Sequence, residues 1–405
     1  MGRLMSLTPL RLRKLRADMR LEGKRVLIRI DGNVPLEKGR AVDGPHGRIA
    51  RAAVDIDWLA QRGARVIVLT HLGRPDGRRK AAYSVKPIAK RLSSLLGTKI
   101  DVTTGVTGPR VERAVNHLKD GQILLLENLR FDPREESNDV GFAKELARLG
   151  DLYVNDAFSV SHRAHASVNA LARELPAFAG HLLANEVTVM ATLERRAKKP
   201  FVLLMGGLKI ETKLPVIEHL SKQVDSILLG GALATTFLCA DGVQVGQSVY
   251  DPDGLSVVRA LPTAIRKKIV LPVDVVVASS FRKDAKTRVV PVAKIMPRDR
   301  IVDVGPQTQE LFGRTIASAK TILWNGPFGY CEVPAFCKGT EYVARAIAKR
   351  SSGATTIVGG GDTGPVLEHL KLADQFTLLS TGGGAMLSFF AGQTLPGLEP
   401  LLLDV

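Results

Sequence analysis

One phrase recurs along the chain and limits what it can fold into. A short apolar, β-branched run stops abruptly at Gly, Asn, Asp, His or Thr. It occurs as KRVLIRIDGN from Lys24, ARVIVLTHLG from Ala64, GQILLLENLR from Gly121 and DLYVNDAFS from Asp151. It returns as PFVLLMGGLK from Pro200, DSILLGG from Asp225, KTILWNGPFG from Lys320, TTIVGGGDTG from Thr355 and FTLLSTGGG from Phe376. Helical stretches such as VKPIAKRLSSLLG from Val85 and FAKELARLG from Phe142 lie between these runs. Apolar runs without alternation read as strands buried on both faces, which means parallel sheet covered by helices. The chain therefore reads as α/β, with doubly wound, Rossmann-like parallel sheets. In such sheets ligands bind beyond the carboxyl ends of the strands, where the polar and glycine residues cluster here.

The strand ends differ along the chain. Up to about residue 170 they are rich in Arg and His, and after about residue 200 in Gly. The stretch from Leu175 to Pro200 joins the two halves and reads as a Pro-started helix with a Lys-Lys-Pro stop. The expected organisation is a first domain over 1–182, an interdomain helix over 183–198 and a second domain over 199–388. A length of 405 residues suits two or three domains.

Composition sets the outer bounds. Hydrophobic residues make up 45% and charged residues 24%, which argues against disorder over most of the length. The 57 basic and 40 acidic residues leave a net charge of +17. That excess attracts nucleic acid, anionic lipid or small anionic substrates, and describes a solvated basic surface equally well. Cys239, Cys331 and Cys337 are odd in number and show no C-x-x-C spacing, so neither a disulfide framework nor a structural zinc is expected, and a reducing compartment fits best. No run is apolar enough to span a membrane. The N-terminal Arg3, Arg11, Arg13, Lys14, Arg16 and Arg20, with Asp18 as their one acid, lack an apolar core segment. They read as a basic surface start or a transit segment rather than a secretory signal. Gly2 with Ser6 fits the myristoylation pattern by letter only.

In the first half, Arg29, Asp31, Asn33, His71, Arg74, Arg130, His162 and Arg163 stand at strand ends, and Arg48 follows a Gly-rich loop. Arginine presents a planar fork to carboxylate and phosphate oxygens, so several at one crevice suit a small, highly anionic substrate. Asp31 and Asn33 are placed to orient hydroxyls. Any one of these arginines taken alone is more readily a partner of a surface carboxylate. For His162 and His165, metal ligation lacks a third ligand, and anion contact or helix capping is the favoured reading.

In the second half, MGGLKIETK from Met205 follows a strand and opens a helix, with Lys209 and Lys213 one turn apart. It is not a Walker A loop, which occurs nowhere in the chain. GGGDTG from Gly359 to Gly364 fits G-x-G-x-x-G by letter, but the following strand ends at Ser380 and Thr381 without the acid a dinucleotide site needs. Asp362 inside the loop points instead to Mg²⁺ bridging a carboxylate and nucleotide phosphates, with Thr363 at a helix N-terminus. STGGGA from Ser380 is a third such loop. WNGPFGYCE from Trp324 adds Asn325 near phosphate and Glu332 for ribose hydroxyls. Each loop alone is as readily a tight strand–helix turn, and the set together favours a nucleotide site. An anion site in one lobe and a Mg-nucleotide site in the other suggest phosphoryl transfer across a closing cleft.

At this point the residues resemble a family. VLIRIDGNVP, THLGRP, LLENLRF, VNDAFSVSHRAHAS, GGLKIETK, WNGPFGYCE with KGTEYVA, VGGGDT and STGGGA run in the order of phosphoglycerate kinase, and GGALATTFL, LPVDVVVA and DVGPQT are similar too. The resemblance implies reversible transfer between 1,3-bisphosphoglycerate and MgADP, giving 3-phosphoglycerate and MgATP. It also implies a cytoplasmic monomer whose tail, about 389–405, packs on the first lobe, and small-molecule partners rather than membrane or nucleic acid. By position, Asp31, Asn33, Arg48, His71, Arg74, Arg130 and Arg163 look like the phosphoglycerate site, with His162 adjoining. Arg48 resembles the catalytic arginine. Lys209, Lys213, Asn325, Glu332, Gly359, Gly360, Gly361, Asp362 and Thr363 look like the nucleotide site. Gly383 and Gly384 resemble the backbone donors beside the transferred group, where Lys213 neutralises charge.

Four departures stand out. Gly32 replaces a bulky apolar residue, so packing under Asp31 and Asn33 is expected to be lost. Leu208 replaces a small residue, and Tyr330 and Cys331 replace Val-Phe, which is expected to reshape the nucleotide pocket. Ser388 and Ala391 replace acids in GAMLSFFAG, which touches lobe coupling. The alternative on the same scaffold is a polyanion-binding protein with weak or no kinase activity.

Overall fold

The structure is a computed structural model and describes residues 11–403. Arg3 and the Gly2–Ser6 pattern lie outside the described residues. The chain divides into two compact units after Thr188 and again after Gln393, so residues from Thr394 onward belong to the first unit.

The first unit is built on a six-stranded parallel sheet. Its strands are β1 (Arg25–Arg29), β2 (Arg65–Leu69), β3 (Asp101–Val102), β4 (Ile123–Leu125), β5 (Leu152–Asn155) and β6 (Ala177–Ala179). Their order in the sheet is β3-β4-β2-β1-β5-β6. In β1, Val26, Leu27 and Ile28 are all fully buried, as a strand covered on both faces requires. Each such side chain stabilises the unit by about 1.5–3 kcal/mol. Helix Arg48–Ala60 covers one face with Ile49, Ile56 and Leu59, which join Val26 and Ile28 in one core. The end of the chain is tied into this unit. Arg13 N donates to the Leu401 carbonyl at 2.7 Å, and Asn155 Nδ2 donates to the Gly397 carbonyl at 3.1 Å.

The second unit repeats the plan. Its parallel sheet contains β7 (Phe201–Met205), β8 (Ser226–Leu229), β9 (Ile269–Val270), β13 (Thr321–Asn325), β14 (Thr355–Gly359) and β15 (Leu378–Ser380), in the order β9-β8-β7-β13-β14-β15. Trp324, Phe312 and Phe328 are buried in its core, with the Phe312 and Phe328 rings edge to face at 5.6 Å. All nine apolar runs of the sequence are strands of these two sheets.

Three features differ from expectation. A three-stranded antiparallel sheet, β11-β10-β12, stands apart from the parallel ones, formed by β10 (Asp274–Ala278), β11 (Thr287–Pro291) and β12 (Arg300–Val304). Four of the five residues of β11 are exposed, so it lacks the apolar run by which the other strands are recognised. The segment after Leu175 opens with strand β6, and the helix spans His181–Arg196 without a starting proline. Finally, Cys331 and Cys337 are joined in a disulfide, where no bridge was expected, and Cys239 is free. The odd count concealed one pair because the third cysteine has no partner.

Candidate functional site

The first cluster lies at the carboxyl ends of β4, β2, β1 and β5, four neighbours in the sheet. Asp31 and Asn33 follow β1. The Asp31 carboxylate accepts from Asn33 N at 3.0 Å and from the Ser159 hydroxyl, and pairs with Arg48 Nη1 at 3.0 Å. Arg48 Nη1 also donates to the Asn33 carbonyl at 2.9 Å. Asn33 Oδ1 accepts from Gly73 N at 2.8 Å, which ties the β1 exit to the loop after β2. Arg48 opens its helix because Asp43 accepts from Ile49 N and Ala50 N, satisfying donors that a helix N-terminus otherwise leaves free.

Arg29 belongs beneath this surface, not on it. It is fully buried and donates to Ser167 Oγ at 2.9 Å, to the Ile30 carbonyl and to His71 Nδ1 at 3.0 Å. Glu135, also fully buried, accepts from the Ser167 hydroxyl at 2.6 Å and from Ser167 N at 2.9 Å. Burial holds the Glu135 carboxyl above its ordinary range, opposed by the Arg29 charge. Glu135, Ser159 and Ser167 are site-building residues that motif reading missed. Ser159 and Ser167 lie within VNDAFSVSHRAHAS, but that motif does not show what they bond, because Asp31 and Arg29 lie far away in the chain.

The histidines are neutral donors rather than cations. Burial, then Arg29 and Arg130, holds His71 well below the ordinary histidine value. Burial and Arg163 lower His162, and burial, Arg130 and Arg29 push His165 down to about 3. With Nδ1 accepting from Arg29, neutral His71 carries its proton on Nε2. Arg130 donates to the Gly73 carbonyl at 2.8 Å and lies 3.2 Å from Glu136. His162 Nδ1 and His165 Nδ1 are buried without a hydrogen-bond partner, and Arg130 Nε, although it is the atom 3.2 Å from Glu136 Oε1, makes no hydrogen bond. Buried polar groups are normally satisfied, so these fit a ligand rich in oxygen acceptors. Arg163 Nε donates to His162 Nε2 at 3.3 Å. Arg74 is exposed on the loop after β2 and is not drawn into these contacts. No cluster of three metal-ligating side chains occurs among the described residues.

Gly32 corrects an expectation. It leaves no void: a Cβ there would lie 2.8 Å from Thr70 Oγ1 and 3.1 Å from Ile88 Cδ1. Gly32 N donates to Thr70 Oγ1 at 2.9 Å, and Thr70 in turn donates to the Ile30 carbonyl at 3.2 Å. The turn under Asp31 and Asn33 is tight, not loosened.

The second cluster lies at the carboxyl ends of β7, β13, β14 and β15, again four neighbours. Here backbones meet. A Cβ at Gly206 would overlap the Pro327 carbonyl oxygen, one at Gly360 would lie 3.4 Å from Gly326 N, and one at Gly383 would lie 3.1 Å from Gly360 Cα. Gly360 adopts φ +122°, which side-chain-bearing residues rarely reach. Helix Gly383–Phe390 begins at this meeting point, and the first N–H groups of a helix have no partner within it. Lys213 is buried on helix Ile210–Leu220 and donates to Asn325 Oδ1. Burial lowers its pKa to about 8, a fall that the nearby Asp362 carboxylate opposes. Asn325 Nδ2 and Thr363 Oγ1 are buried and unpartnered. Asp362, Lys209 and Glu332 are exposed. Leu208 and Tyr330 are exposed too, at 42% and 39%, and the Tyr330 ring packs against Phe281 at 5.1 Å.

Orphaned donors at two clusters of strand ends, one lined by guanidinium groups and the other by bare backbone, define an α/β phosphotransferase. Comparison with known proteins makes the assignment specific. The family model "Phosphoglycerate kinase" matches residues 16–393. A phosphoglycerate kinase of Rubrobacter xylanophilus is 47% identical over 384 residues, covering 95% of this chain and 97% of the relative. One of Chloroflexus aggregans is 45% identical over 391 residues, with 95% and 97% covered. Among solved structures, phosphoglycerate kinase from Coxiella burnetii matches with a TM-score of 0.79 at 38% identity, and that from Pyrococcus horikoshii OT3 with 0.85 at 30% identity. Both matches cover 95% of this chain and 97% of the other. The chain belongs to the phosphoglycerate kinase family.

Proposed function

We propose that the chain transfers a phosphoryl group reversibly between 1,3-bisphosphoglycerate and ADP, giving 3-phosphoglycerate and ATP. In the forward direction a β-phosphate oxygen of ADP bonds to the acyl phosphate's phosphorus. The bond from that phosphorus to the carboxyl oxygen breaks, and the carboxylate leaves. No protein group forms a bond, so catalysis is positioning and charge cancellation. The polyanion-binding alternative is not favoured, because the relatives matched along nearly the whole chain are kinases.

The observation that carries the reading is the buried Lys213 ammonium. Its hydrogen-bond partner is a neutral amide, and two orphaned groups, Asn325 Nδ2 and Thr363 Oγ1, are buried on neighbouring elements. A buried cation without a paired carboxylate is stabilised when an anion arrives. Lys213 and the N–H groups at Gly383 and Gly384 then face the transferred phosphoryl. Lys209, Asn325, the Gly359–Gly361 turn and Thr363 hold the other phosphates, and Glu332 takes the ribose hydroxyls. Asp31, Asn33, His71, Arg74, Arg130, His162 and Arg163 hold the phosphoglycerate. Arg48, steered by Asp31, cancels charge that develops on the moving group.

Asp362 fits Mg²⁺ carried with the nucleotide. It is an exposed carboxylate beside the phosphate loop, and a magnesium bound by one carboxylate plus phosphate oxygens needs no larger protein cage. When bound, the ion neutralises phosphate charge. The reading takes the chain as a cytoplasmic monomer acting on small molecules.

The test is 3-phosphoglycerate-dependent ADP formation from MgATP, drawn forward by a dehydrogenase that consumes the acyl phosphate and NADH. Turnover that disappears in Lys213→Ala supports the assignment. No turnover from folded protein overturns it.

A further inference from the structure

The disulfide has no part in the reaction described, yet its position is specific. Cys331 and Cys337 are six residues apart and flank Glu332 in the segment between β13 and helix Lys338–Arg350. We propose that they form a reversible thiol–disulfide couple, reduced by a dithiol, which sets how firmly Glu332 is held for the nucleotide. This rests on the nucleotide-site reading above.

Three observations distinguish a couple from a structural staple. First, the enclosed loop is short. A cross-link stabilises chiefly by restricting the unfolded chain, and that gain grows with loop length. The segment is already anchored without it: Phe336 is fully buried, Phe336 N donates to the Val333 carbonyl at 2.8 Å, and Thr340 Oγ1 accepts from Phe328 N and Gly329 N at 2.9 and 3.1 Å. Second, the two residues are unequal. Cys337 is buried, whereas Cys331 is partly exposed, so the approach of a reductant is easier from its side. Third, Cys337 is the N-cap residue of a 13-residue helix. A helix N-terminus stabilises a thiolate, and a stabilised thiolate is the better leaving group.

The exchange follows from that asymmetry. A thiolate of the dithiol attacks Cys331 Sγ. The sulfur–sulfur bond breaks and its electron pair passes to Cys337 Sγ, which leaves as the thiolate at the helix N-terminus and takes up a proton. The second thiol of the reductant, on losing its proton, attacks the reductant's own sulfur in the mixed disulfide and releases Cys331. The dithiol ends as a disulfide and the protein gains two thiols. An oxidised dithiol reverses the sequence.

With the bridge closed, Glu332 is pinned between Cys331 and the buried Val333. Opening it frees the side chains of the Cys331–Glu332 flank, while the backbone stays held at its ends, where Tyr330 N donates to the Val302 carbonyl at 2.9 Å and Val333 N to the Tyr330 carbonyl at 3.1 Å. Ordering that flank then falls to the nucleotide, so affinity drops by about three- to tenfold.

The experiment combines thiol alkylation read by mass spectrometry with equilibrium binding of a fluorescent ADP analogue. The full chain is equilibrated with oxidised or with reduced dithiothreitol. After oxidation, Cys239 alone is expected to alkylate, and after reduction all three cysteines. The oxidised protein binds the analogue three- to tenfold more tightly, and in Glu332→Ala the two states bind alike. Alkylation of Cys331 and Cys337 in the oxidised sample overturns the couple. Equal affinity in the two wild-type states, or a difference that persists in Glu332→Ala, overturns the control of Glu332. Absence of binding in both states removes the nucleotide-site reading and this control with it, which equal but measurable binding does not.

Discussion

The two units place their clusters alike, on four neighbouring strand ends, and build them from opposite materials. In the first unit the work falls to side chains whose charges are partly matched in advance. Asp31 steers Arg48, Glu136 lies beside Arg130, and Glu135 sits behind Arg29 through Ser167. In the second unit, glycines let backbones meet, and Lys213 is the buried cation among them. The difference teaches where each is vulnerable. A guanidinium cluster shares its charge over several residues, so one loss is partly covered. A backbone cradle has no spare charge and no spare room.

The sharpest test of that contrast is Lys213→Ala. It removes the buried cation of the cradle, and kcat/KM should fall by about 10³-fold or more, with the fold retained by circular dichroism. Arg48→Ala should cut kcat by about 10²-fold, with a smaller rise in KM for phosphoglycerate, because its charge acts mainly in the transition state. The rise in KM comes from Asp31, whose carboxylate loses its partner and then faces an anionic substrate. If KM alone changes, Arg48 is a binding residue and its transition-state role is wrong. The glycines come next. Gly206→Ala, which forces a methyl into the Pro327 carbonyl, and Gly32→Phe, which meets Thr70 and Ile88, should each lose about 1–3 kcal/mol in denaturant unfolding. Gly361→Ala meets nothing within 4 Å and should stay within about 0.5 kcal/mol of the parent. Equal losses at Gly206 and Gly361 would show that the cradle is not limited by room.

The same contrast explains what the sequence conveys. The parallel sheets are legible because a doubly buried strand must be apolar through its middle, as Val26, Leu27 and Ile28 of β1 and Ile322, Leu323 and Trp324 of β13 are. β3, β6 and β9 are not legible, because these strands of two or three residues lack the flanking apolar run that marks the equally short β4 and β15, and β11 is too exposed. The glycine loops are legible because close backbone approach admits little else. The support beneath the arginines is not. Ser167 holds Arg29 from 138 residues away, and nothing near either residue announces it. Gly32 departs from expectation because a sequence states the size of a side chain and not the direction in which it would point. Towards Thr70 there is no space. The bridge between Cys331 and Cys337 was hidden by the free Cys239.

The smallest expected effect separates the two clusters by pH. The histidines of the first cluster are held neutral, so it should titrate little between pH 6 and 9. Lys213 differs, because burial brings its pKa to about 8 from the ordinary 10.5. Its charge is present below that value and is lost as pH rises through it. In the free protein, kcat/KM for the nucleotide should therefore fall above about pH 8, approaching tenfold per unit, and Lys213→Arg should flatten that fall even if its activity is lower throughout. Stability should move the other way. Between about pH 8 and 10.5 the unfolded chain holds a proton on Lys213 that the folded chain has released, so this residue's contribution rises with pH across that window. Below about pH 8 the buried ammonium is at its most destabilising, and Lys213→Met should raise the unfolding midpoint there while abolishing turnover. The comparison with the parent isolates Lys213 from the other titrating groups. A variant that loses stability at pH 7 would mean that the ammonium is already well solvated or paired, and the second cluster would then share the first one's design.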